Sequence, residues 1–203
     1  MDNPSNVMSS TKPIKPSFHT KDVSFVAVMT AFIIGLNYMM LPLVNVKLMD
    51  LLVFVSGYSM GSHVGALIGC LVWLVYGTLN PFGFNLYILF ATCLCESLFG
   101  IVGGFCSRWN LDVPDNLSIR DCGFWFSGLK LGVIGFLVTV IYDFFTNIAS
   151  GLVAGTSIIA ALILGIPFAI SHEVSNLLFF TLAGTVLIKI FNNFKVKGGK
   201  GER

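Results

Sequence analysis

The sequence predicts an all-α integral membrane protein, with six transmembrane helices in one bundle and both termini in the cytoplasm. Three observations carry this expectation. Of the 203 residues, 55% are hydrophobic and 11% charged, and the mean hydropathy is +0.85, whereas a soluble domain carries about 25% charged residues. The apolar runs are long enough to cross a hydrocarbon layer about 30 Å thick. The basic residues, finally, collect on one side of the membrane once the runs are laid out in order.

Residues 1–22 are polar, with Lys12, Lys15, Lys21 and the prolines Pro4, Pro13 and Pro16. They lack the apolar core and small-residue cleavage site of a secretory signal, so a disordered cytoplasmic tail is expected. The membrane domain then covers 23–190. Its first span runs over 23–43 and ends at Pro42, a short second over 46–60, and a third over 61–79. The turn Asn80-Pro81-Phe82-Gly83 carries strong turn residues. A fourth span covers 86–105, a polar segment 106–121, and a fifth span 126–149. Small residues make a loop of 150–155. The stretch 156–190 is too long for one straight span, and Pro167 is expected to break it. That leaves 156–166 as a short outer segment and 167–190 as the sixth span, with 191–203 a second basic cytoplasmic tail.

Charge supports this count. An even number of spans puts both basic tails in the cytoplasm, together with Arg108, Arg120 and Lys130. Of the twelve Lys and Arg, only Lys47 then lies outside. The expected location is the cell membrane, as a multi-pass protein in contact with lipid. A net charge of +2 gives no reason to expect a nucleic-acid partner.

Against this background the polar residues within the spans stand out, because an ionisable side chain in a membrane costs roughly 2.5–3.5 kcal/mol on insertion scales and is a functional-site hypothesis by default. Asp143 and Asn147 are four apart and share a helix face in the outer part of span five. His172 and Asn176 do the same in the first turns of span six, with Glu173 beside them. Asp50 falls in the outer part of span two, Asn80 and Asn85 in the loop after span three, and Glu96 at mid-depth in span four. Trp73, Tyr87 and Tyr142 are candidate aromatic walls. These side chains are expected to form one outward-facing binding site for a small polar molecule with a ring, in a pocket otherwise apolar. Single polar side chains also hydrogen-bond helices together, at about 0.6 kcal/mol each, and Glu96 has a buried pair with His172 or Lys47 as its alternative role.

The remaining features are less specific. Ala27, Ala31 and Gly35 repeat every four residues on span one, a stripe that lets another helix approach closely. Gly57, Gly61, Gly65 and Gly69 make a second such run, expected to pack internally. The five cysteines, Cys70, Cys93, Cys95, Cys106 and Cys122, form no CxxC pair and are expected as small buried thiols, with no metal site and no disulfide framework. No GxxxxGK[ST] loop is present, so the chain is not expected to hydrolyse ATP, and no cofactor is expected. His172-Glu173 is followed by Val-Ser-Asn and so lacks HExxH. The segment 57–61 fits G-x-S-x-G but inside an apolar run, without the strand–turn–helix the motif requires.

Together, the Ala27/Ala31 spacing, "FVSGYSMGSHVGALIG" (54–69), "LVYGTLNPFG" (74–83), "YDFFTN" (142–147) and "GIPFAISHEVSNLLFF" (165–180) resemble the substrate-binding S components of energy-coupling factor (ECF) transporters. The resemblance covers 23–190. It implies a substrate-capture subunit for vitamin or vitamin-precursor uptake, docked through the Ala27/Ala31 face on a transmembrane coupling protein and two ATPases. It also implies that the loops after spans one, three and five help cap the pocket. Ligand residues differ among such proteins, so none is carried over. The metal-transporting branch uses an N-terminal histidine set, and His19 alone does not supply one. A non-transporting assembly protein of a membrane complex and an intramembrane enzyme, with His172, Glu173 and Asp143 as acid–base groups, are the alternatives.

Overall fold

A computed structural model of the chain describes residues 20–79, 81, 83–109, 111 and 118–199. It is an all-helical bundle: α1 (Thr20–Met39), α2 (Met49–Met60), α3 (Ser62–Leu79), α4 (Leu86–Arg108), α5 (Cys122–Val153), α6 (Ile158–Phe179), a π-helical turn (Phe180–Gly184) and α7 (Thr185–Gly199). The last three run on as one rod, so the chain makes six helical passes, and no strand occurs among the described residues. Five passes are long and apolar enough to cross a membrane. Phe25 of α1 and Phe191 of α7 meet edge to face at 6.1 Å, which brings the start of α1 and α7 to the same end of the bundle.

The exception in length is α2. Its 12 residues reach about 18 Å, well short of a hydrocarbon layer. Every residue from Met49 to Ser59 is buried. A helix apolar on all sides has to be surrounded, and α2 is the central helix of the bundle, sheathed by the longer ones. The expected second span began at 46; the structure starts the helix at Met49 and uses 40–48 as a turn-rich segment above it.

Glycines set how closely the helices approach. A Cβ on Gly57 of α2 would fall on the Gly100 carbonyl of α4, and one on Gly100 would fall on Gly65 of α3. A Cβ on Gly65 would in turn lie 2.5 Å from the Gly57 Cα. Three backbones therefore meet where only glycine fits, and Gly69 extends the seam against the Glu96 carbonyl. Gly61 is different from its neighbours in the expected stripe. Its φ of +98° ends α2, and a Cβ there would meet nothing within 4 Å. A second seam joins α5 to the rod, with Gly128 and Gly132 against Thr181, Gly135 against the Phe180 ring, and Gly165 against the Asn147 side chain. Between the seams, Phe54 and Phe180 stack edge to face at 5.2 Å.

Further expected boundaries change: α1 starts at Thr20, inside the expected tail, and ends at Met39, and α5 runs from Cys122, ahead of the expected start at 126, to Val153, inside the expected 150–155 loop. Pro167 lies inside α6 and does not break it, so 156–166 is no separate segment and the helix begins at Ile158. One missing N–H is a smaller cost than a broken helix, because each freed backbone group in an apolar surrounding loses its partner altogether. At the far end, α7 carries the helix to Gly199, into the segment expected as a tail. The expected tail residues 1–19 and 200–203 lie outside the described residues, as does Asn80.

Candidate functional site

The centre of the bundle holds a hydrogen-bonded ionic network. Asp50 stands in the first turn of α2, where unpaired N–H groups and the helix dipole favour a carboxylate. His172 Nε2 lies 2.6 Å from its Oδ2, and Asn176 Nδ2 donates to the same oxygen at 2.6 Å. The other ring nitrogen, His172 Nδ1, lies 3.0 Å from Asp143 Oδ1. Asn176 Nδ2 also donates to Thr139 Oγ1 at 2.7 Å, and Thr139 passes its own proton to the Gly135 carbonyl at 2.7 Å. Thr139 and Asp143 on α5, like His172 and Asn176 on α6, are four residues apart and so share a face. Both faces turn to Asp50. Because each imidazole nitrogen faces a carboxyl oxygen, both contacts are satisfied with both acids ionised only when both nitrogens carry hydrogen.

A second acid lies close by. Glu96 of α4 is fully buried, as are Asp50, His172 and Asn176. Its Oε2 accepts from Trp73 Nε1 at 3.1 Å, and it stands within electrostatic reach of Asp50 and Lys47. The Lys47 ammonium rests over the faces of Trp73 at 5.1 Å and Tyr142 at 5.3 Å. Tyr142 in turn stands edge-on to His172 at 5.4 Å. Three carboxylates thus lie against two side chains able to carry positive charge, behind an aromatic wall. Four oxygens of the centre, Asp50 Oδ1, Glu96 Oε1, Asp143 Oδ2 and Asn176 Oδ1, are buried without a hydrogen-bond donor. Among the described residues, no group of three or more His, Cys, Asp or Glu is placed to hold a metal ion.

Above this wall, at the end of the bundle away from the termini, opens a cavity of about 460 Å³. Asn37 and Met40 at the end of α1, the segment from Leu43 to Lys47, Trp73 and Tyr76 of α3, and Phe168 of α6 line it. A neighbouring space of about 200 Å³ shares Trp73, Gly83 and Ile88 with it. The segment over the cavity is pinned to α6 from both sides: Asn45 Nδ2 donates to the Phe168 carbonyl at 2.8 Å, and Ser171 Oγ donates to the Val44 carbonyl at 2.9 Å. Asn45 has a φ of 53°, a left-handed conformation that asparagine adopts more readily than most residues.

The expected site residues thus fall into groups. Asp50, Asp143, His172 and Asn176 meet in the network, and Glu96 adjoins it with Trp73 as its hydrogen-bond donor; of the two partners weighed as its alternative role, Lys47 is within electrostatic reach and His172 is not bonded to it. They lie in the middle of the bundle, Glu96 beside Asp50, and none of these five lines either cavity. Asn85 lines the smaller space and caps α4, its Oδ1 accepting from the Tyr87 and Ile88 N–H groups. Asn147 stands apart, packed on Gly165 in the α5–α6 seam. Glu173 is half-buried at the edge, near Asp143 and His172. Of the aromatic walls, Trp73 and Tyr142 serve, while Tyr87 is 75% exposed.

Thr139, Asn37, Asn45 and Lys47 were missed as site residues. Thr139 had a usable signal, since it lies one helical turn before Asp143. Lys47 had one too, as the single basic residue expected on the outer side and three residues before Asp50. The five cysteines are free thiols, with Cys93, Cys95 and Cys106 buried, Cys70 half-buried and Cys122 exposed. Gly57 to Met60 lie within α2 and Gly61 caps it, so the G-x-S-x-G match sits on a helix.

No protein-family model matches the chain, and no curated protein and no solved structure matches it either.

Proposed function

We propose that this protein is the substrate-capture subunit of an ATP-driven micronutrient transporter, of the S-component kind that its motifs resemble. The observation that carries the proposal is the cavity over Trp73 and Lys47. It is a mostly apolar space with a few polar groups at its floor, of the size small-molecule sites have. The distribution of basic residues supports that end of the bundle as the outward-facing one in this reading. Ala27, Ala31 and Gly35 are all exposed on α1, and a Cβ on Gly35 would meet nothing within 4 Å. The stripe is free for a partner helix, which in this reading belongs to a transmembrane coupling protein. Two ATPases supply the energy. The vitamins and their precursors are the substrate class.

The test is to purify the protein in mild detergent, identify co-purifying small molecules by mass spectrometry, and measure thermal stabilisation by a panel of vitamins and precursors. An Ile88→Trp variant, which fills both spaces, is run alongside. A molecule held by the wild type and missing from the folded variant is expected. A wild type that is empty and that no panel member stabilises would overturn the proposal in favour of an assembly role in another membrane complex.

A further inference from the structure

The larger cavity offers hydrogen-bond donors and a positive charge, while the acids of the centre stay behind its wall. Lys47 lines it, and the ammonium rests over aromatic faces, with Asp50 and Glu96 within electrostatic reach behind them. Asn37 lines it too; this side chain is 5% exposed, and its Nδ2 makes no hydrogen bond of good geometry. It sits next to the Tyr76 ring's hydroxyl, at the same wall. Other donors in the wall are already used. Trp73 Nε1 goes to Glu96 and Asn45 Nδ2 to the Phe168 carbonyl.

Asp50, Glu96 and Asp143 contribute nothing to the cavity lining. Trp73, Tyr142 and Lys47 stand around them, so a molecule in the cavity meets the ammonium at contact distance and the carboxylates only at longer range. Charge-assisted hydrogen bonds made at contact are the strong ones. A buried amide donor left without an acceptor costs stability until something supplies one. The rest of the surface is apolar or aromatic, with Met40, Leu43, Val46, Trp73, Tyr76 and Phe168.

We infer that the cavity selects a small ring-bearing molecule with a carboxylate or comparable anionic group, which Lys47 holds by its charge and Asn37 by a second hydrogen bond. The inference rests on the capture reading and narrows it: neutral and cationic molecules of the same ring frame are rejected. An amine would face Lys47 as a like charge, and a carboxamide would accept from the ammonium without the attraction of opposite charges.

The test uses matched probes on the full-length protein in detergent: nicotinate, 4-aminobenzoate and indole-3-acetate, each with its carboxamide, and tryptamine as the cationic indole. Thermal stabilisation and calorimetric affinity are measured beside mass spectrometry of co-purified molecules. The expected result is that bound molecules are anionic and that acids bind while their amides and tryptamine do not. Lys47→Met is expected to weaken the acid by ten- to a hundredfold, Lys47→Arg to restore most of it, and Asn37→Leu to weaken it about tenfold. If Lys47→Met does not fold, Asn37→Leu and the probe series still decide. A neutral or cationic molecule bound as well as its acid, or an acid bound unchanged by Asn37→Leu and Lys47→Met, overturns the inference and leaves the capture reading standing. No binding by any probe and no co-purified molecule removes the capture reading, and the inference falls with it.

Discussion

His172 Nε2 and Asp50 Oδ2 lie 2.6 Å apart although 122 residues separate them in the chain. The contact joins the central helix α2 to α6, and Asp143 continues it to α5. Removing one member of a buried ion pair leaves the other uncompensated, at a cost of about 3–5 kcal/mol. His172→Ala is therefore expected to lower stability by roughly that amount in chemical unfolding of the detergent-solubilised protein. The double variant Asp50→Leu/His172→Leu is expected to recover much of the loss. A single-variant loss below about 1 kcal/mol would contradict the network's structural weight.

The placement of the ring between two carboxylates predicts the hydrogen content of His172. Nitrogen-15 spectra of imidazole-labelled protein are expected to show hydrogen on both Nδ1 and Nε2 of this residue. Asp143→Asn removes one of the two charged acceptors, so the signal of Nδ1 is expected to move more than that of Nε2. A neutral tautomer in the wild type would mean that a carboxyl group carries the proton instead.

Glycines at two depths should behave oppositely. Gly100→Ala drives a methyl group into the Gly65 backbone, so α3 and α4 have to separate, and a loss of about 1–3 kcal/mol or failure to fold is expected. At Gly35 nothing lies within 4 Å, and Gly35→Ala is expected to stabilise by about 0.5–1 kcal/mol, the usual gain in a helix interior. Thermal unfolding of the two variants side by side checks the pair.

Asn85 supplies the cap of α4 by accepting from two backbone N–H groups at 2.9 and 3.2 Å. Asn85→Ala is expected to cost about 1 kcal/mol. Hydrogen exchange should quicken at Tyr87 and Ile88 and stay unchanged in the middle of α4. Uniform quickening along the helix would show that the cap does more than hold the first turn.

The exposed stripe on α1 separates assembly from capture. Ala31→Trp is expected to reduce co-purification with a co-expressed coupling protein and its ATPases at least tenfold. Small-molecule binding and thermal stability should remain at wild-type values. Undiminished co-purification would move the docking surface elsewhere.

Helix positions and polar faces were legible because both follow from periodicity. The spacing of Thr139, Asp143, His172 and Asn176 along the chain is enough to put them on two faces. Depth was not legible. It hung on whether Pro167 ends a helix, and with α6 beginning at Ile158 the ring of His172 lies about 21 Å along it, near the middle of the bundle. The rotation of one helix against another is also invisible in a single sequence. Asn147 shares a face with Asp143, yet it meets Gly165 further along the seam and takes no part in the network. The cavity was the hardest to foresee. Its walls come from α1, α3, a turn-rich segment, Gly83, Ile88 of α4 and Phe168 of α6, with no shared period to reveal them.

The two glycine seams divide the protein mechanically. Backbones in direct contact have no side chains to rearrange, so α2, α3 and α4 form one stiff plate, while α5 closes on the long rod through one backbone contact, Gly128 on the Thr181 carbonyl, and the side chains of Thr181, Phe180 and Asn147. The joint between the two halves is made of groups that can swing: Asp50 with His172, Phe54 with Phe180, and Phe99 with Tyr142 at 6.2 Å. The two halves therefore meet through charged and aromatic side chains, and any movement of one against the other has to break or shift those contacts.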